Sequence, residues 1–263
     1  HRVLLRERQM FLSVSQNNEY STRTTVFQTS IINDQVKEYW ENLTFNKSYL
    51  VNHLIIGYYI PNNKKNKNLS FEKNYPQHSR MQNTGKETQG DWVSLAVDHG
   101  KAPRNELYEY VLFPETDWAK MKAFAQKPAY KVLMQDRNAH IVHDGKENIT
   151  SYAIFEPVNN LPGNLILSVD TPCLMMLKQD KGYDILTVCN PDLALYKGAS
   201  DEAFDENGKR VERSIYSRPW TSDPSQTMPV VVRLKGEWHV AESENWKILK
   251  GSKDETVLQV FCK

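Results

Sequence analysis

Two histidine pairs offer the most direct route to chemistry in this chain. His140-x-x-His143 has the look of a ligand pair, and Asp98-His99 the look of an acid/base couple. Both sit in stretches with the alternation of β-strands. Side chains three apart on a strand point to opposite faces, so His140 and His143 are not expected to meet at one ion. No HExxH helix accompanies them. His99 stands before Gly100 at a strand end, and the expectation is that it ties the turn together by hydrogen bonds. The 32 Asp and Glu residues include no pair in a setting that marks glycosidase work. No GxSxG elbow, Walker loop or GxGxxG occurs. Cys173, Cys189 and Cys262 lack metal spacing and form no CxxC; Cys173 and Cys189 lie on strand-like stretches beside apolar neighbours, so buried free thiols are expected there, with a Cys173–Cys189 bridge as the alternative. No cofactor and no metal site is expected.

Aromatic side chains are abundant, with 6 Trp and 13 Tyr. Such rings stack on sugar faces when exposed and fill cores when buried. Trp118 and Trp238 are expected in the core. Trp220, in Arg218-Pro219-Trp220 within a polar stretch, is the tryptophan least explained by packing and is a candidate substrate contact, with His99 as a second. The one dense basic cluster, Lys64-Lys65-x-Lys67, lies among asparagines and reads as a solvated loop tip. A net charge of +1 gives no global field for nucleic acid or a membrane, so neither is an expected partner. Apolar runs fall short of the roughly 18 residues of a spanning helix. The sequons at Asn42, Asn46, Asn68 and Asn148 are expected by chance in an Asn-rich chain.

The elements that must position these residues are mostly strands. Val93, Leu95 and Val97 alternate with Ser94, Ala96 and Asp98, and Leu107–Phe113 follows after His99-Gly100 and Pro103. The pair reads as a hairpin. Residues 24–31 and 49–60 read as strands, the second long and buried on both faces. One segment departs from this: Trp118, Met121, Phe124 and Ala125 recur at helical spacing, Thr116 can cap the first turn, and Lys127-Pro128 stops it. The spacing predicts one short helix near 115–127 and a domain boundary after it. Strands then resume over 130–133, 139–143, 150–155, 164–169, 173–177, 183–188, 230–234, 238–240, 246–249 and 256–261. Residues 197–228 read as loop.

His1 leads straight into strand-like sequence with no initiator Met and no signal-peptide pattern. The expectation is a fragment of a longer protein; a mature protein with its leader removed is the alternative.

The wording of several segments resembles a known family. Val97-Asp98-His99-Gly100 followed by Tyr108-x-Tyr110-Val111 and Pro114 resembles the late β-region of polysaccharide lyase family 8. Arg23-Thr24-Thr25-Val26-Phe27-Gln28 is similar to a strand of its chondroitin ABC branch. Tyr130–Leu133, His140–Val142, Thr150–Ala153, Thr187-Val188-x-x-Pro191-Asp192-Leu193 and the terminal Gly236-Glu237-Trp238 are similar to the small C-terminal domain of those enzymes. The resemblance implies a mostly β chain. Residues 1–127 would be the latter part of a large antiparallel β-sandwich domain, and 128–263 a small C-terminal antiparallel β-sandwich. It also implies a missing N-terminal α/α toroid as partner, a glycosaminoglycan substrate such as chondroitin or dermatan sulfate, and a secreted or periplasmic bacterial enzyme. The reaction implied is β-elimination: a base removes the C5 proton of a uronic acid, the carboxylate charge is neutralised, and the leaving O4 is protonated. The family's Tyr, His and Arg for these steps lie in the toroid and its supporting Glu lies upstream, so no catalytic residue is assigned here. The surface facing the toroid is expected to be apolar and drawn from residues 1–110 more than from the tail. A stand-alone carbohydrate-binding β-sandwich is the alternative reading.

Overall fold

The computed structural model describes residues 21–30, 34–45, 48–66, 68–80, 87–101, 103–104, 106–163, 165–191, 207, 228–240 and 243–262. The chain divides into two compact units, His1–Pro128 and Ala129–Lys263.

In the first unit, β1 (Ser21–Ser30) leads to α1 (Asp34–Asn42), then β2 (Tyr49–Val51), β3 (Gly57–Tyr59), β4 (Leu69–Arg80), β5 (Glu87–Lys101), β6 (Val111–Phe113) and α2 (Trp118–Gln126). Strands β1, β5 and β4 form one antiparallel sheet with β5 central. Strands β2, β3 and β6 form a second, with β3 central. A shared core joins Val26, Val93, Leu95 and Val97 from the first sheet to Leu50 and Tyr58 from the second.

Helix α1 was not anticipated. Its spacing is helical: Val36, Tyr39, Trp40 and Leu43 recur at i, i+3, i+4 and i+7 and pack on the core, with Trp40 fully buried. Asp34 suits its positive end, and Lys37 pairs with Glu41 one turn on at 3.9 Å. The expected long strand over 49–60 is two short strands around a tight turn. Asn52 breaks it: its Oδ1 accepts from Leu54 N at 3.0 Å and Ile56 N at 2.9 Å. The turn holds Ile55 at φ +58, which a β-branched residue adopts only under strain. The expected hairpin is also not formed. Strand β5 lies between β1 and β4, whereas Val111–Phe113 pairs with β3 in the other sheet.

Helix α2 occupies the anticipated stretch, but its cap is Asp117 rather than Thr116. Asp117 Oδ1 accepts from Lys120 N at 2.8 Å, and this bond holds its carboxyl below the usual range. Met121 is the buried anchor, and Phe124 meets Phe113 and Tyr59 edge-on. Trp118, expected in the core, is 37% exposed, with its ring 5.6 Å from that of Tyr49. Gly57 permits the close approach of α2: a Cβ there would lie 2.5 Å from Met121 Sδ.

The second unit comprises β7 (Tyr130–Gln135), β8 (Ala139–Asp144), β9 (Ile149–Ile154), β10 (Val158–Asn159), β11 (Ile166–Val169), β12 (Cys173–Asp180), β13 (Tyr183–Cys189), β14 (Met228–Lys235), β15 (Trp246–Gly251) and β16 (Glu255–Cys262). One antiparallel sheet has the order β13-β12-β9-β8-β7 and the other β10-β11-β14-β16-β15. The inward faces meet in one core. Ile141, Tyr152, Ile154, Met175 and Leu177 come from the first sheet; Ile166, Val169, Val230, Val232, Leu234 and Leu258 come from the second. This is a β-sandwich. Residues 238–240, expected as strand, are not one. Trp238 instead packs half-buried on the core, and its Nε1 donates to Lys235 O at 2.9 Å.

Exposed apolar side chains do not concentrate in residues 1–110 among the described residues. Leu54 (60%) and Ile55 (55%) stand out in the first unit, but Leu174, Met176, Tyr183, Ile185, Ile248 and Leu249 are exposed in the second.

Candidate substrate-contact site

His99 sits near the end of β5, where the Asp98 carboxylate holds the turn. Asp98 Oδ1 accepts from Gly100 N at 2.8 Å, and Gly100 takes φ +76, open to glycine without strain. The His99 imidazole ring lies 6.1 Å from the ring of Tyr108. Tyr108 in turn stacks on Tyr110 at 6.2 Å and an interplanar angle of 16°. Three half-buried rings therefore run in series at the surface.

The segment carrying the tyrosines is extended without belonging to a sheet, so its backbone groups need another partner. Asn66 supplies one. Its Oδ1 accepts from Glu109 N at 2.9 Å and its Nδ2 donates to Glu109 O at 2.7 Å, the pairing a neighbouring strand would make. Asn66 is itself buried and also donates to Pro61 O at 3.0 Å. Asn63 shapes the loop that presents it, accepting from Lys65 N at 2.9 Å. Lys65 reaches Glu109 Oε2 at 3.0 Å. The basic cluster is thus not wholly solvated: Lys64 is exposed, Lys65 is half-buried and paired, and Lys67 lies outside the described residues. Burial pushes the nearby Tyr59 phenol up, with the Glu109 charge adding to it.

An aromatic row has the chemistry of a sugar-contact surface, with ring faces for the apolar side of a pyranose; the Lys65 ammonium beside it is engaged by Glu109. Asn66 and Glu109 escaped the sequence reading because their pairing spans 43 residues. The one local signal was an Asn-rich loop, which ordinarily marks a turn.

The other candidates are placed elsewhere or not described. Trp220 lies outside the described residues. His140 and His143 part as expected: His143 Nδ1 is 3.1 Å from Thr150 Oγ1, whereas the His140 ring meets Phe155 edge-on at 5.1 Å. Among the described residues no group of three His, Cys, Asp or Glu side chains could hold a metal ion. A depression of about 440 Å³ beside α1 is lined, among the described residues, by Gln35, Glu38, Tyr39, Asn42 and Leu43. No helix among the described residues is long and apolar enough to cross a membrane.

Comparison with known proteins agrees with this architecture. Residues 7–125 match the super-sandwich domain of polysaccharide lyase family 8, and residues 131–195 match that family's C-terminal beta-sandwich domain. The chain is 51% identical over 249 residues to a chondroitin sulfate ABC exolyase of Bacteroides thetaiotaomicron, covering 94% of this chain and 24% of that protein. It is 30% identical to the chondroitin sulfate ABC exolyase of Proteus vulgaris, covering 89% of this chain and 24% of the relative. The chain thus spans about a quarter of the length of these curated relatives. Among solved structures, a Streptomyces coelicolor chondroitin AC lyase matches with a TM-score of 0.59 at 14% identity, over 92% of this chain and 28% of that one. A chondroitinase AC lyase matches with a TM-score of 0.56 at 16% identity, over 95% and 31%. Two sandwich domains in this order, both matched by one family's domains, make the chain a member of polysaccharide lyase family 8.

Proposed function

We propose that the chain is the C-terminal portion of a glycosaminoglycan lyase that cleaves chondroitin or dermatan sulfate by β-elimination at uronic acid. Residues 1–127 are the latter part of the central domain and 128–263 the small final domain. Their role is to support the cleft, while an upstream toroid carries the groups that move protons. The observation that carries this reading is the 51% identity to a chondroitin sulfate ABC exolyase across 94% of the chain but only 24% of that enzyme. The strained Asn52–Ile56 turn supports it. Thr116 N donates to Ile55 O at 2.9 Å, so the turn holds Leu54 and Ile55 out rigidly, as a contact for a neighbouring domain would require. Secretion or a periplasmic site follows from a polymeric substrate too large to enter a cell.

His99 and Tyr108 contribute to substrate binding in this proposal, through the ring row that Asn66 holds. In the lyase reassembled with its upstream portion, His99→Ala and Tyr108→Ala are expected to raise KM about 3–10-fold with kcat little changed, the mark of lost uniform binding. An unchanged KM in both variants would remove the site. Tight chondroitin sulfate binding by the isolated chain, abolished by Trp220→Ala, would instead favour a stand-alone carbohydrate-binding module.

A further inference from the structure

The sequence spreads three cysteines over 90 positions, and the fold gathers them at one end of the second sandwich. Cys189 ends β13, at the edge of one sheet; Cys262 ends β16, in the other sheet. These two strands touch. The Cys262 thiol donates to Val188 O at 3.8 Å, 74 residues back in the chain. The Asn190 backbone also hydrogen-bonds the Cys262 sulfur. Val188 and Asn190 flank Cys189, so the Cys262 sulfur lies against the backbone on both sides of that residue. All three thiols are free in this state.

Register decides which pair can join. Leu174 stands opposite Cys189 across β12 and β13, so those two share a face, and both are exposed. Cys173, next to Leu174, points to the other face and is buried in the core. A Cys173–Cys189 bridge would have to pass through the sheet. Burial pushes the Cys173 thiol up to about 12, with Cys262, Asp170 and Cys189 adding to it, so it stays protonated and unreactive at neutral pH. Cys262 is half-buried on an inner strand, paired with Met228 and packed against the core beside Val188 of the edge strand β13, and Cys189 is open to solvent.

We propose that Cys189 and Cys262 form a reversible disulfide that staples the two sheets of the C-terminal sandwich together. One S–S bond forms between the two sulfurs. Their two protons and two electrons pass to a small-molecule disulfide such as glutathione disulfide, which leaves as two thiols. The exposed Cys189 thiolate attacks first, and Cys262 resolves the mixed disulfide. The staple closes a loop that contains β14, β15 and β16, so it restrains the unfolded chain and raises the melting temperature.

The test incubates the whole chain with glutathione disulfide at neutral pH, unfolds it in denaturant while alkylating the remaining thiols, and maps the digest by mass spectrometry. The expected result is one alkylated cysteine, Cys173, one Cys189–Cys262 linked peptide within a single chain, and a higher melting temperature. Cys173→Ser keeps the link; Cys189→Ser and Cys262→Ser each abolish both the link and the rise. Three alkylated cysteines, a link through Cys173, glutathione adducts alone, or a link between two chains would each overturn the proposal.

Discussion

At the scale of single residues, two positions carry consequences that melting experiments can read. A methyl group at Gly57 would sit 2.5 Å from Met121 Sδ and 2.6 Å from Thr116 Cγ2. Gly57→Ala is therefore expected to cost about 1–3 kcal/mol by overpacking. Met121→Ala alone leaves a cavity, and the double variant should lose less than the sum of the two, because each change relieves the other. Strict additivity would mean that α2 does not rest on Gly57. His53 is the second position. Its Nδ1 is buried without a hydrogen-bond partner among the described residues, against the rings of Tyr39 and Trp40. Burial lowers its pKa below the ordinary 6.5. The unfolded chain then takes up this proton before the folded one does. The stability it contributes is present above pH 6.5 and is lost as pH falls through that value towards the folded pKa. Melting temperatures measured from pH 7.5 down to 5 should fall less steeply for His53→Phe than for the parent; equal slopes would contradict the burial of a neutral imidazole. Little at this scale was legible beforehand. The split of His140 from His143 followed from strand alternation alone, but the work of Asn66, Gly57 and Cys262 depends on partners far away in the chain.

At the scale of elements, the ring row depends on one amide. Asn66→Ala removes two bonds to the Glu109 backbone and leaves those groups without that partner. The cost is expected to be about 1–3 kcal/mol, with faster hydrogen exchange at the Glu109 amide. Lys65→Ala breaks only a partly solvated ion pair and should cost about 0–1 kcal/mol. The reverse ranking would show that charge rather than the amide fixes the segment. The strands of the second unit were mostly legible, because each has one face on a shared core and alternates accordingly. In the first unit the alternation of Val93, Leu95 and Val97 identified a strand but not its neighbours, since pairing between β1 and β5 joins distant segments. The apolar run from Tyr49 to Ile60 hid a turn made by the Asn52 side chain. Helix α1 had its apolar spacing in plain view at Val36, Tyr39, Trp40 and Leu43, but aromatic residues within a β-rich stretch read equally as strand.

At the scale of the molecule, two β-domains of one lyase family match residues 7–125 and 131–195, and the proposed function assigns the reacting groups to an upstream portion. Half of this was legible. The order of short motifs carried the family and the mostly β architecture, whereas the ring row beside His99 needed a fold to bring Asn66 to Glu109. The most direct test gives chondroitin sulfate to the purified 263-residue chain, alone and together with the upstream portion of its parent, and follows unsaturated uronide by ultraviolet absorbance. The expected result is no product from the chain alone and product from the combined protein. Unsaturated uronide released by the isolated chain would contradict the account, because it would place the proton-moving groups among these residues.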